Sequence, residues 1–121
     1  MTVPTDPVLD PQIVDELRGL GGESGEDFLA ELVGQFVYET EPLLTQLHEA
    51  FEAGDPSAVA RIGHRIKGSA AQMGGQRLAA SCSHLEQGAG DLGTARPELQ
   101  TVETEFHVLR DAWTAQLRPA D

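Results

Sequence analysis

The sequence predicts an all-α protein: an antiparallel up-down-up-down four-helix bundle with a short N-terminal capping helix. Three observations carry that reading. Apolar residues recur at three- and four-residue spacing through four long stretches. Asp-Pro starts and glycine stops punctuate those stretches. Nowhere does a two-residue alternation run between turn signals, so no sheet is expected. At 121 residues the chain suits one domain, 1–121, with 1–22 as N-terminal segment and capping helix and 24–118 as the bundle.

Taken in order, Asp10-Pro11 reads as N-cap and first helical position, opening a short segment whose apolar side is Ile13, Val14, Leu17 and Leu20. Gly21-Gly22 stops it. Ser24 followed by Asp27 resembles a capping box for the next helix. There Leu29, Val33, Phe36, Thr40, Leu43, Leu44, Leu47 and Phe51 share one face as far as Gly54. Pro42 sits inside this run and removes a backbone donor, so the stretch is either one kinked helix or two helices meeting at Glu41.

Asp55-Pro56 repeats the start signal, and a third helix runs to Met73 before Gly74-Gly75. A fourth covers about 76–87 with Leu78, Cys82 and Leu85 inward, and Gly88, Gly90 and Gly93 mark a loop after it. The last, about 95–117, places Leu99, Val102, Phe106, Leu109, Trp113 and Leu117 on one side. Short connections make antiparallel neighbours the simplest packing.

Composition narrows the function. Twenty acids against eight bases give a formal charge of −12, a poor match for nucleic acid. No stretch approaches the roughly 18 apolar residues of a membrane span, and the first residues lack a secretory pattern. A soluble cytoplasmic monomer is expected. The single cysteine, Cys82, excludes an internal disulfide and most thiolate metal sites, and on an inward face it reads as an inert core thiol. His48, His84 and His107 fall on three different helices with no ligand-like spacing, so they read as surface residues and no metal is expected.

The charge is uneven. Arg61, Arg65, Lys67 and Arg77 are half of all the bases, and no acid lies between positions 61 and 77. This island coincides with the third helix, whose apolar stripe is Val59, Ile62, Ile66, Ala70 and Met73. At about 100° per residue, His64 lies roughly 160° from the centre of that stripe and should face solvent. Around it stand Ala60, Lys67, Gly68 and Ala71, with Arg61 and Gln72 at the edge.

Small residues on an exposed helix face add nothing to stability, and Gly68 costs about 1 kcal/mol relative to Ala. Something that must approach closely would explain them. Lys67 and Gly68, at i+3 and i+4, lie on the adjoining turn, so the imidazole stands over cleared surface beside an ammonium. A neutral imidazole is a competent nucleophile near neutral pH. Neighbouring cations disfavour its protonation and would screen a transferred phosphoryl group. Ser69 lies nearer the buried side and reads as packing, Gly74-Gly75 as a turn. The Gly63–Ser69 stretch lacks the ending of a P-loop, so nucleotide binding has no support.

The run His64-Arg65-Ile66-Lys67-Gly68-Ser69-Ala70-Ala71-Gln72-Met73-Gly74 resembles the signature of histidine-containing phosphotransfer (HPt) domains, H-x-[LI]-K-G-S-[AS]-x-x-[LM]-G. Gly75-Gln76-Arg77-Leu78, Cys82, Leu85-Glu86, Leu9-Asp10-Pro11, Phe28-Leu29, Pro42 and Gly54-Asp55 are similar too. Gly63, where many members have Ala, is a departure that loosens the helix locally.

The resemblance implies a carrier that accepts phosphate on His64 from a receiver-domain aspartate and passes it to another receiver. Lys67 would meet phosphoryl oxygens, Gly68 would give clearance and Arg77 would be a secondary cation. Ala60, Arg61, Arg65, Ala71 and Gln72 would form the docking face. Partners would be receiver domains of response regulators and hybrid histidine kinases. This chain would hold no cofactor, with Mg2+ on the receiver. The alternative is an adaptor that docks receivers without carrying phosphate, for which an intact His64 and Lys67 are unnecessary. An ATP-dependent kinase is disfavoured, since Arg65 follows the histidine where a kinase has an acid and no nucleotide domain fits. The starting Met and the lack of a ragged linker point to a free-standing protein.

Overall fold

Helices form where the spacing places them. The computed structural model describes residues 6–117, and among these there is no strand. The elements are α1 (Pro11–Leu20), a 3-10 turn (Gly22–Ser24), α2 (Gly25–Glu52), α3 (Pro56–Gln72), α4 (Gln76–Gly88) and α5 (Leu92–Gln116). Three-residue turns at 53–55, 73–75 and 89–91 join the last four helices. Connections this short force antiparallel neighbours. Packing of α2 on α3, α3 on α4, α4 on α5 and α5 back on α2 closes the bundle.

The apolar stripes meet in one continuous core. Leu29, Leu47, Val59, Ile66, Leu85, Val102, Phe106 and Trp113 are fully buried in it. Phe36 of α2 and Phe106 of α5 face each other with ring centroids 5.7 Å apart. The three Asp starts act as N-caps: Asp10 Oδ1 accepts from the Gln12 N–H at 2.9 Å, Asp55 Oδ1 from Ala58 at 3.1 Å and Asp91 Oδ1 from Thr94 at 3.3 Å. The Thr94 hydroxyl also donates to Asp91, and these bonds hold its carboxyl below the usual value of 3.8.

Four details depart from the sequence reading or resolve it. α2 is a single 28-residue helix through Pro42, not two helices. Pro42 is exposed, and the carbonyl it cannot serve belongs to Tyr38, itself on the solvent side, where water can satisfy it. Ser24 makes no side-chain cap, because the 3-10 turn leads straight into α2 and leaves Ser24 at φ −98°, ψ 24°, outside the extended conformation of a capping residue. α5 begins at Leu92 rather than 95, since Asp91 caps it and takes Gly93 into the first turn. Leu20 is 73% exposed at the end of α1, beyond the reach of the core.

The capping segment fixes the far end of α3. The Asp10 N–H donates to the Gly74 carbonyl at 2.9 Å, and Arg18 Nη2 to the Gln116 carbonyl at 3.0 Å. The Trp113 indole N–H donates to the Met73 carbonyl at 2.8 Å, within the core. Gly74 carries a φ of +70°, and a side chain there would also press on Ile13. The α3–α4 turn is thus pinned by α1 on one side and α5 on the other, which sets the rotation of α3 about its axis.

Candidate functional site

That rotation decides which face of α3 meets solvent. Val59, Ile62, Ile66, Ala70 and Met73 are all buried, and His64, opposite them, is 73% exposed. Arg61, Arg65, Gly68, Ala71 and Gln72 are exposed on the same side, while Ala60 and Lys67 are half-buried. Arg61, Arg65 and Lys67 form no ion pair among the described residues.

A Cβ built on Gly68 would meet nothing within 4 Å, so the protein's own packing gives no reason for glycine there. The same holds, less simply, for buried Gly63, whose Cβ would make ordinary contacts with Leu85 Cδ2 at 3.6 Å and Glu86 Cγ at 3.7 Å. Ser69 is half-buried and lines a shallow cleft of about 160 Å³ between α2 and α3, with Phe36, Glu39 and Gln72 among its walls.

Arg77 does not join this face. Its Nη2 pairs with Glu105 Oε1 of α5 at 2.8 Å, leaving Arg77 Nε and Glu105 Oε2 buried without partners. It also lies nine residues along α4 from the part that faces His64, about 13 Å of helix rise. α4 turns this side chain toward α5 because Leu78 and Cys82 claim the inward positions. A role for Arg77 as a secondary cation at His64 is not supported by this placement.

Glu86, by contrast, enters the site although the sequence reading gave it no role there. His64 Nδ1 lies 3.0 Å from Glu86 Oε1, a carboxylate with only a quarter of its side chain exposed. An ionised carboxylate has no proton to give, so it pairs with an Nδ1 that donates, and in the neutral ring that tautomer leaves the lone pair on Nε2. The signal was present in the register. Two helices reversing at Gly75 pair positions equidistant from it, and 64 and 86 lie eleven residues to either side. Local charge counting stopped at position 77 and passed over it.

Beneath the site, burial pushes the Cys82 thiol up to about 12; Glu86 adds to this and Lys67 opposes it. Both charges therefore act along one α3–α4 seam, and the thiol stays protonated and unreactive. His48 contacts Glu103 across the α2–α5 seam, and His84 and His107 are exposed. Among the described residues no three potential metal ligands converge, and no helix is long and apolar enough to cross a membrane.

Comparison with known proteins gives the family and the fold. The Hpt domain model matches residues 31–115. Histidine-containing phosphotransfer protein B of Pseudomonas aeruginosa superposes with a TM-score of 0.81 at 30% identity, over 91% of this chain and 94% of that one. A rice chain assigned to the histidine-containing phosphotransfer proteins shares the fold, with a TM-score of 0.80 at 22% identity over 91% of this chain and 79% of its own. Multistep phosphorelay regulator 1 of Schizosaccharomyces pombe is 24% identical over 79 residues, 65% of this chain but only 27% of that protein. The chain belongs to the Hpt domain family.

Proposed function

We propose that this chain is a phosphorelay intermediate that takes a phosphoryl group from a receiver-domain aspartate onto His64 and passes it to a second receiver. The observation that carries the proposal is the state of His64: exposed, hydrogen-bonded through Nδ1 to Glu86, and standing beside the open surface at Gly68. The Nε2 lone pair attacks phosphorus in line, the bond to the aspartyl oxygen breaks, and the carboxylate leaves with that electron pair. Lys67 screens the phosphoryl oxygens, and Gly68 lets the receiver's backbone approach.

Arg61 and Arg65 with Ala60, Ala71 and Gln72 form the docking face, its small residues admitting contact and its cations steering an acidic receiver site. Mg2+ belongs to the receiver. The chain acts as a carrier, with no ATP-dependent kinase activity of its own.

The test is incubation with a phosphorylated receiver, followed by detection of acid-labile, alkali-stable label. Wild type should be labelled and His64→Gln should not; full labelling of His64→Gln would overturn the choice of nucleophile. Receiver binding without any labelling of wild type would make the chain an adaptor. Lys67→Ala should slow transfer roughly tenfold or more, as expected for loss of one preorganised charge.

A further inference from the structure

The solvent side of α2 carries residues that work against the helix itself. Gly34, Tyr38 and Pro42 follow one another at four-residue spacing, so they form a single row along the outside of the bundle. Tyr38 is 80% exposed, the most exposed large apolar side chain among the described residues. Gly34 is exposed with nothing within 4 Å of a built Cβ, and Pro42 is exposed in mid-helix. Glycine and proline inside a helix both weaken it, and an aromatic ring left in water gains nothing from burial. Nothing in the packing of this chain accounts for the three together.

The row is also uniformly acidic. Nine Asp or Glu and no Lys or Arg lie between Arg18 and Arg61. Glu31, Glu41 and Glu49 flank the row and form no ion pair among the described residues. An open groove of about 720 Å³ runs past the ring, walled by Glu41, Pro42, Thr45, Gln46 and Glu49. Because Pro42 has no N–H, it gives the Tyr38 carbonyl no bond, which adds one outward acceptor to the carboxylates.

We infer that this side of α2 docks an arginine-bearing segment of a partner protein, with one guanidinium on the Tyr38 ring and others paired with Glu41 and Glu49. Helical side chains lean toward the N-terminus, so Tyr38 lies over the turn of Gly34, where no side chain covers it. That leaves a ring face open to a planar cation. A guanidinium suits the site better than an ammonium, because it stacks on the ring while its edge bonds carboxylate and carbonyl oxygens. A second copy of this chain is a poor occupant, since each copy carries a formal charge of −12.

The inference is independent of the role of His64. Arg61, Arg65 and Lys67 lie on α3 with that histidine, whereas the α2 row carries acids alone. A surface attracted to one face is repelled by the other, so a basic segment held on α2 leaves the α3 face free.

The test titrates the isotope-labelled chain with a short peptide alternating arginine with alanine, followed by amide NMR. At about 20 mM salt the Debye length of roughly 20 Å leaves the attraction largely unscreened. Shift changes should concentrate on residues 34–49, and the lysine counterpart of the peptide should bind several-fold more weakly. Tyr38→Ala should weaken binding roughly fivefold, and Tyr38→Phe, which keeps the ring, should bind as wild type does. Glu41→Gln combined with Glu49→Gln should also weaken it about fivefold. Asp15→Asn with Glu23→Gln removes as much charge from exposed positions elsewhere and should change it less than about twofold. Circular dichroism checks that every variant keeps its helicity. Equal weakening by the two double variants, or shift changes spread over every acidic surface, would reduce the attraction to net charge and overturn the inference. So would binding that Tyr38→Ala leaves unchanged, or a dimer of the chain alone that Tyr38→Ala abolishes, which would assign the row to a second copy.

Discussion

Two glycines on α3 separate stability from function. Gly63 and Gly68 both sit in the helix interior, where glycine costs about 1 kcal/mol relative to alanine. At Gly68 the added methyl meets open space, so Gly68→Ala should stabilise the fold by about that amount. At Gly63 the methyl would make van der Waals contacts at 3.6–3.9 Å with Leu85, Glu86 and the Cys82 carbonyl, with nothing close enough to force a shift. Burial of one methyl adds up to about 0.8 kcal/mol, so Gly63→Ala should gain roughly 1–2 kcal/mol. For a domain of this size that is an upward Tm shift of roughly 3–8 °C. The assay is thermal and urea unfolding followed by the fluorescence of Trp113, the only tryptophan. Transfer separates the two sites: Gly63→Ala should transfer normally, while Gly68→Gln should fold and transfer at least tenfold more slowly. Destabilisation of Gly63→Ala would show that the α3–α4 seam is tighter than its contacts indicate. Wild-type transfer by Gly68→Gln would refute the clearance argument outright.

Three further outcomes follow from the core. Thr40 is fully buried and its hydroxyl has no hydrogen-bond partner among the described residues, so Thr40→Val should raise stability by about 1 kcal/mol in urea unfolding. Trp113→Phe removes the indole donor from the buried Met73 carbonyl and leaves unfilled volume, which should cost about 2–4 kcal/mol by circular dichroism. Cys82 should resist iodoacetamide in the native protein at pH 8 and react once unfolded. Its thiol is raised from 9.0 to about 12 by burial, so the unfolded chain deprotonates first. The linked contribution to stability is complete below pH 9 and is lost between pH 9 and about 12; a Cys82→Ala variant should lack this alkaline slope.

Much of the site was legible in the chain because it lies on one helix. His64, Lys67, Gly68 and the small face around them follow from 3.6-residue periodicity, which needs no knowledge of neighbours. The same periodicity named the buried residues of α2, α3 and α4, and all of them are buried. It misjudged the helix ends. Ser24 and Gly93 have ordinary cap and loop chemistry, but their roles depend on how the chain enters and leaves the bundle. Leu20 is apolar in the right phase, yet α1 ends beyond its support.

What the sequence alone determined is which face of α3 meets solvent, with His64 and Gly68 on it, since helical phase is set by covalent geometry and the apolar stripe must turn inward. What only the tertiary structure decided is which charges act there. Arg77 belongs to the same run of bases but is taken by Glu105 of α5, and Glu86, outside that run, arrives at His64 across the α3–α4 turn. Electrostatic interaction falls with distance through space rather than along the chain. A segment that reads as four uncompensated cations is therefore, once folded, three cations and a carboxylate around one imidazole.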